Sequence, residues 1–384
     1  YLSLQLYRID SVYNDSIIFN DKPTYLANTL DSTNYRFNNL RKGKYVLIAL
    51  KDLSDDYLFD PFYDKIAFYD SVISLPQDSL IDLRLFKEEI PLKWDEPYFI
   101  NSGKIGFGYY GKLDSEKISI KSEIPDSINF IFNKEIDKDT IYLWLSKNIL
   151  DSLVFQLQEI DTIKTLSIKF NRAKDTLIDS LRVSQKTRSI IDLNEKFKLS
   201  SNLPINKVSD SLIFIRNIDS ILVPFKSIIN KNLDELTLDF NVEPKNDYSV
   251  NLLPNAIIDI RGGTNDTINF KTASQSLEDY GNVYINVILD AKSKYILQMI
   301  NSNNKIIKEY NNITNDGIYN FELIPPGKYL FRMIKDDNGN KIWDTGNYLQ
   351  KIQPEDVYYF SNELDIRANW DFNETFNLKM IKVD

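Results

Sequence analysis

Residues 35–60, YRFNNLRKGKYVLIALKDLSDDYLFD, and residues 319–344, YNFELIPPGKYLFRMIKDDNGNKIWD, align without a gap. Tyr35, Phe37, Gly43, Lys44, Tyr45, Lys51, Asp52 and Asp60 recur as Tyr319, Phe321, Gly327, Lys328, Tyr329, Lys335, Asp336 and Asp344. Such an internal repeat marks one structural unit used twice. Tyr and Phe two positions apart lie on one face of a strand, Pro325-Pro326-Gly327 suits a tight turn with glycine at positive φ, and a second strand follows from Tyr329. Arg332 interrupts that strand, as on a half-exposed sheet. Its counterpart, residues 45–50, is apolar throughout, which predicts cover on both faces by a neighbouring domain or a partner. Two strand-like runs, 283–289 and 295–299, precede the second copy, but only one, 2–7, precedes the first. The chain is therefore expected to enter its first domain one strand late, leaving an edge for upstream sequence or another chain to fill.

Both copies end in an acidic loop. Asp336, Asn338, Asn340 and Asp344 place oxygens at alternating positions and then add a carboxylate, as calcium-wrapping loops do. Asp52, Ser54, Asp56 and Asp60 keep an oxygen at the same four offsets. Two readings stand: a calcium site at these eight residues, or a turn in which Asp and Asn bind their own backbone amides. The EF-hand pattern itself fails, because Lys341 stands where the glycine belongs and Asn347 where the bidentate glutamate belongs.

Composition narrows the chemistry. The 384 residues contain no Cys and no His, which removes thiol nucleophiles, Ser-His-Asp triads and thiolate or imidazole metal sites. An enzyme would have to work with carboxylates, Lys, Tyr or oxygen-bound metals, so a non-enzyme is expected, with no cofactor beyond calcium. A balance of 46 Lys+Arg against 55 Asp+Glu gives a net charge of −9, interleaved along the chain without a basic patch, which argues against nucleic acid as a partner. No apolar run approaches the roughly 18 residues that span a bilayer.

Between the repeats, short alternating runs at 117–120, 141–145, 166–170, 212–215 and 236–240 are separated by Asp, Asn, Ser and Pro. Period-two alternation with regular turn signals predicts an all-β chain of tandem β-sandwiches. Boundaries are expected near 96, 190 and 276, giving modules 1–96, 97–190, 191–276 and 277–384.

The F-x-x-L-x-x-G-K-Y core with its acidic loop resembles the carboxypeptidase regulatory-like, transthyretin-type β-sandwich, over residues 1–96 and 277–384. The third module resembles the SbsA-type bacterial Ig-like domain through Ser201-Asn202-Leu203-Pro204-Ile205, YSVNLLPNAIIDIRGG at 248–263 and Phe270-Lys271-Thr272. Position and strand rhythm place the second module in the same Ig-like class. The whole order resembles Ig-like-domain lipoproteins of Bacteroidota cell envelopes. That resemblance implies a non-catalytic scaffold or partner-binding subunit of an outer-membrane assembly or secretion complex. It further implies a location at the cell surface or periplasmic face, and a lipid anchor upstream of Tyr1. A calcium-assisted glycan-binding or adhesive protein is the alternative. Asp followed by Ser or Thr and then an aliphatic residue, at Asp10, Asp15, Asp70, Asp78, Asp126, Asp139, Asp151, Asp161, Asp175, Asp179, Asp210, Asp219 and Asp266, resembles the O-glycosylation acceptor of exported Bacteroidota proteins. The same dipeptides also form turns ahead of strands.

Gly106, Gly108 and Gly111 match G-x-G-x-x-G, but the alternating continuation KLDSEKISIKS predicts a strand rather than the helix a dinucleotide site needs. Trp94, Trp144, Trp343 and Trp370 are expected in cores or between domains, and would serve as sugar-stacking platforms if exposed.

Overall fold

The computed structural model describes residues 2–380 apart from 30–32, 77–79, 102, 114–117, 135–137, 148–151, 160–161 and 170–179. Strand accounts for 48% and helix for 4%, so the all-β expectation holds. No helix among the described residues is long and apolar enough to cross a membrane.

The fourth module shows the repeated unit complete. One sheet places Gly281–Ile288 between Gly317–Ile324, antiparallel, and Asp371–Asn377, parallel. The other orders Ile306–Ile313, Lys294–Asn301 and Gly327–Asp336, with Val357–Tyr359 and Leu364–Ile366 both pairing the last of these. Alternation turns Val283, Ile285 and Val287 of one sheet toward Leu297, Met299, Phe331 and Met333 of the other. All are fully buried, and each such side chain contributes roughly 1.5–3 kcal/mol.

The first module repeats only the second of these sheets. Tyr25–Asn28, Ser3–Arg8, Gly43–Lys51 and Lys65–Phe68 pair in that order, and Ile73–Leu75 also joins Gly43–Lys51. Tyr35 and Phe37, the counterparts of Tyr319 and Phe321, lie in no strand of any sheet.

Between these modules, Lys104–Tyr110 pairs with Thr140–Leu145 in one sheet of the second module, and Leu153–Gln158 is central in the other. The G-F-G-Y-Y stretch is thus strand. In the third module, Phe197–Ser201 and Glu235–Asp239 face Asp247–Leu252 and Ile213–Arg216 across one core. Strand pairing reaches past the expected divisions at 96 and 190. Lys93–Trp94 already pairs with Lys104–Tyr110, and Val183–Gln185 with Phe197–Ser201. Strands of two or three residues carry too little alternation to be read from sequence.

The G-K-Y motif has a steric explanation. Tyr45 Oη donates to the Arg41 carbonyl at 3.0 Å and Tyr329 Oη to the Pro325 carbonyl at 2.9 Å, so each ring folds back over its own turn. A Cβ at Gly43 would meet the Tyr45 ring at 3.3 Å, and at Gly327 the Tyr329 ring at 3.5 Å. At Gly43 that approach is tight and the glycine clears room for the ring, whereas at Gly327 it is an ordinary contact. Gly327 has φ 158°, the positive φ expected of it, and Asn39 at φ 57° and Leu323 at φ 55° stand four positions before the two glycines.

Candidate functional site: paired acidic turns and the seam they support

The two acidic loops have the same geometry. Asp336 is 2% exposed, and its Oδ1 accepts from the amides of Gly339 (2.7 Å) and Asn340 (3.1 Å) while Oδ2 accepts from Lys341 (3.0 Å). In the first copy, Asp52 Oδ1 accepts from Ser54 (2.9 Å) and Asp55 (2.8 Å), and Oδ2 from Tyr57 (2.7 Å). Left-handed residues stand at equivalent places: Asp55 at φ 57° with Gly339 at 76°, and Tyr57 at 66° with Lys341 at 70°.

The remaining oxygens are also engaged. Asn338 and Asn340 both donate side-chain N–H to Asp344 Oδ2, the second at 2.7 Å. Asn338 Oδ1 accepts from the Asn340 amide and Asn340 Oδ1 from the Ile342 amide, both at 2.9 Å. Asp56 and Asp60 accept from Leu58 and Phe62, both at 2.8 Å, and Ser54 Oγ donates to Asp52 at 3.1 Å. All eight residues singled out from sequence thus sit in two turns, where Asp52, Asp56, Asp60, Asp336, Asn338 and Asn340 accept from backbone amides, Asp344 accepts from Asn338 and Asn340 side chains, and Ser54 donates to Asp52. Among the described residues no group of three or more acidic side chains converges as a metal cage. If the turns' own hydrogen bonds are what these oxygens serve, adding calcium to the metal-free protein is expected to leave the thermal midpoint unmoved. A calcium-dependent rise, abolished by Asp336→Asn, would establish the cation reading instead.

Two functional carboxylates escaped the sequence reading. Asp64, 1% exposed, accepts from the amides of Leu53 (3.0 Å) and Asp60 (2.8 Å). Glu355 accepts from Asp337 (2.9 Å) and Asp344 (3.1 Å), the equivalent pair of amides in the second copy. Each ties the start of its acidic loop to the end. Burial pushes the Glu355 carboxyl up, against the pull of the Asp344 and Asp337 amides.

In the fourth module this clamp steadies residues 345–356, which cross onto the first module. Tyr348 is fully buried there, among Ile48, Leu50, Phe59, Phe68 and Phe86, with its ring 5.4 Å from that of Phe68. This is the cover that the two-faced apolar run 45–50 called for: Tyr45, Leu47 and Ala49 face one way and Ile48 and Leu50 face Tyr348. Polar bonds line the seam. Thr345 Oγ1 donates to the Lys87 carbonyl at 2.6 Å, the Tyr348 amide donates to Glu88, Gln353 Nε2 donates to the Phe68 carbonyl at 2.9 Å, and Arg84 pairs with Asp356. Lys351 Nζ lies 2.8 Å from Asp15 and 4.0 Å over the Tyr348 ring. Burial would raise Asp15, but Lys351 and Tyr13 bond it and hold it below the usual carboxylate range.

Burial holds the Glu88 carboxyl above its ordinary value, opposed by the Tyr348 amide. A carboxyl raised in the folded state binds its proton more tightly there than in the unfolded chain. Its ionisation therefore costs stability as pH rises through the folded pKa, and the cost vanishes below the unfolded one. Glu88→Gln keeps an acceptor for Tyr348 and removes that cost. Its thermal midpoint is expected to match wild type near about pH 4 and to exceed it at about pH 8.

Seams join the other neighbours too. Trp144, 7% exposed, packs with Leu203 and Ile260 of the third module, and Asn133 accepts from its indole N–H while donating to the Asn232 carbonyl. Trp94 is buried in the second core. Trp343 and Trp370 are 41% and 54% exposed.

A groove of about 280 Å³ opens on the first module. Leu6, Leu47 and Ile73 of its sheet form the floor, and Tyr35, Phe37 and Ile81 stand along the walls. Tyr35 Oη donates to the Ile81 carbonyl at 2.6 Å, joining one wall to the other.

No family profile matches the chain, and no curated protein matches it. Solved structures do. An Escherichia coli alpha-2-macroglobulin fragment spanning domains MG0-NIE-MG1 is 11% identical, covering 50% of this chain and 91% of its own, at a TM-score of 0.23. A Bacteroides ovatus mixed-linkage glucan utilization locus SGBP-B, in complex with a mixed-linkage heptasaccharide, is 12% identical over 95% of this chain and 87% of its own, at 0.21. Domains 4–9 of the surface layer protein SbsC are 10% identical over 87% and 63%, at 0.22. The fold assignment rests on the sheets themselves.

Proposed function

We propose that the protein is a non-enzymatic, exported scaffold or partner-binding subunit of an outer-membrane protein complex, held at the membrane by a lipid anchor as its resemblance to Bacteroidota envelope lipoproteins implies. The observation that carries this reading is the seam around Tyr348. It fastens the fourth module to the first, and so gives a chain of small sandwiches one fixed geometry on which partners can be positioned. The absence of His and Cys from the sequence agrees with a role in holding rather than transforming. Affinity purification from native membranes is expected to recover the protein with stoichiometric envelope partners, and recovery of the free protein alone would overturn the assignment.

The glycan-binding alternative draws on Trp343 and Trp370, the two exposed indoles. Glycan-array binding lost in Trp343→Ala and Trp370→Ala would establish it. For O-glycosylation, Ser11, Ser16, Ser71, Ser127, Ser211, Ser220 and Thr267 are exposed and Thr140 is half-buried. The hydroxyl residues after Asp78 and Asp175 lie outside the described residues, as do Asp151, Asp161 and Asp179 themselves. Mass spectrometry of protein from its native envelope would show glycan on at least one of these hydroxyls.

A further inference from the structure

The fourth module turns an uncharged, hydrogen-bonding face to solvent. In the sheet of Gly317–Ile324, Gly281–Ile288 and Asp371–Asn377, the core takes Val283, Ile285 and Val287, so alternation points Tyr284 and Asn286 the other way. Register then sets two rows across the three strands. Tyr284 pairs with Asn320 on one side and Asn373 on the other, and Asn286 with Ile318 and Thr375. Tyr284 is half-buried and the other five are exposed. The side-chain amides of Asn286, Asn320 and Asn373 have no protein partner among the described residues. Charge frames this face without entering it. None of the three strands contains Lys or Arg, in a chain where 46 of 384 residues are basic. Lys308 reaches the sheet from its neighbour, but it donates to the Asn320 carbonyl at 2.8 Å and lies over the ring of Phe321, a core residue. Glu322 and Asp371 stand at one end of the face, Asp290 and Asp316 at the other, so anionic ligands are repelled. Partial desolvation, followed by the Asp371 and Glu322 carboxylates, pushes the Tyr284 phenol up and keeps it a donor.

We propose that this face binds a neutral polysaccharide of the flat, β-linked class, whose chain is an uncharged ribbon with hydroxyls along its edges. Each asparagine amide offers both a donor and an acceptor, which is what a sugar hydroxyl needs, and Tyr284 and Ile318 supply apolar surface for the C–H faces of the rings. Adjacent strands stand about 4.8 Å apart, close to the repeat of one sugar in such a chain. A ribbon laid across the strands therefore meets Asn320, Tyr284 and Asn373 in turn with successive sugars. The inference goes beyond the scaffold role and needs neither exposed indole.

Native electrophoresis of the 384-residue protein through gels containing hydroxyethylcellulose or glucomannan, both soluble and neutral, tests the site. Retardation is expected in at least one of them. Carboxymethylcellulose, which adds negative charge to the same kind of backbone, is expected to bind at least about tenfold weaker. The double variant Asn320→Ala/Asn373→Ala removes only exposed side chains, so its thermal midpoint should match wild type while its affinity falls about tenfold, as for two lost hydrogen bonds. Asn286→Glu is expected to abolish retardation, and Trp343→Ala to leave it unchanged. No retardation in either neutral gel, equal retardation of the double variant, or tighter binding to carboxymethylcellulose overturns the site. So does a dimer in sugar-free solution that Asn286→Glu dissolves, since that gives the face to a second copy. Recovery of envelope partners without retardation removes this face and leaves the scaffold standing, whereas retardation without partners does the reverse.

Discussion

Tyr348→Ala is expected to destabilise the protein by about 3–5 kcal/mol, the usual cost of emptying a buried aromatic site. The ring is fully enclosed by the core of a module other than its own, so the loss falls on the seam as well as on the cavity. Chemical denaturation of the variant should split into two transitions, the earlier one reporting the first module, where wild type shows a later combined loss. Small-angle scattering should show a larger radius of gyration under native conditions. A conservative Tyr348→Phe keeps the packing against Phe68 and Phe86 and should leave both observables close to wild type. If Tyr348→Ala unfolds in one unshifted transition, the seam contributes little and the fixed geometry invoked for the scaffold role is lost.

The second large effect belongs to the acidic turns. Asp336→Ala strips the acceptor from three backbone amides, of Gly339, Asn340 and Lys341, in a site almost closed to water. Bonds to a charged acceptor are worth more than neutral ones, and the donors left behind keep their desolvation cost, so a loss of about 3 kcal/mol is expected in urea melts. Because Glu355 ties this same loop to residues 345–356, the variant should also loosen the seam and make residues 337–356 more open to proteolysis. Asp52→Ala, the first-copy equivalent, should lower stability comparably without that proteolytic signature. Equal proteolysis in the two variants would break the link between turn and seam.

The repeat made the hairpin, its acidic turn and the all-β class legible, since these follow from spacing within a short window. Residues 45–50 also announced cover on both faces, though nothing in a period-two pattern says that the cover comes from Tyr348. The clamping carboxylates stayed hidden for a related reason. Asp64 stands four residues past Asp60 but Glu355 eleven past Asp344, and they differ in side chain, so an alignment of the two copies does not pair them. Their equivalence exists only in the amides they hold. The parallel placement of Asp371–Asn377 beside Gly281–Ile288 joins segments far apart in the chain, and polar interruptions in DFNETFN hid it as a strand.

The seam also sets a timetable. Glu88 and the Tyr348 amide that bonds it are 260 residues apart, so the first module cannot complete its core until that length of chain has followed it. At ordinary synthesis rates that is a wait on the order of 10–50 s, during which Ile48, Leu50, Phe68 and Phe86 lack their final cover. The first module is thus made well before it can mature. A holdase, or passage across a membrane before folding, would protect it through that interval.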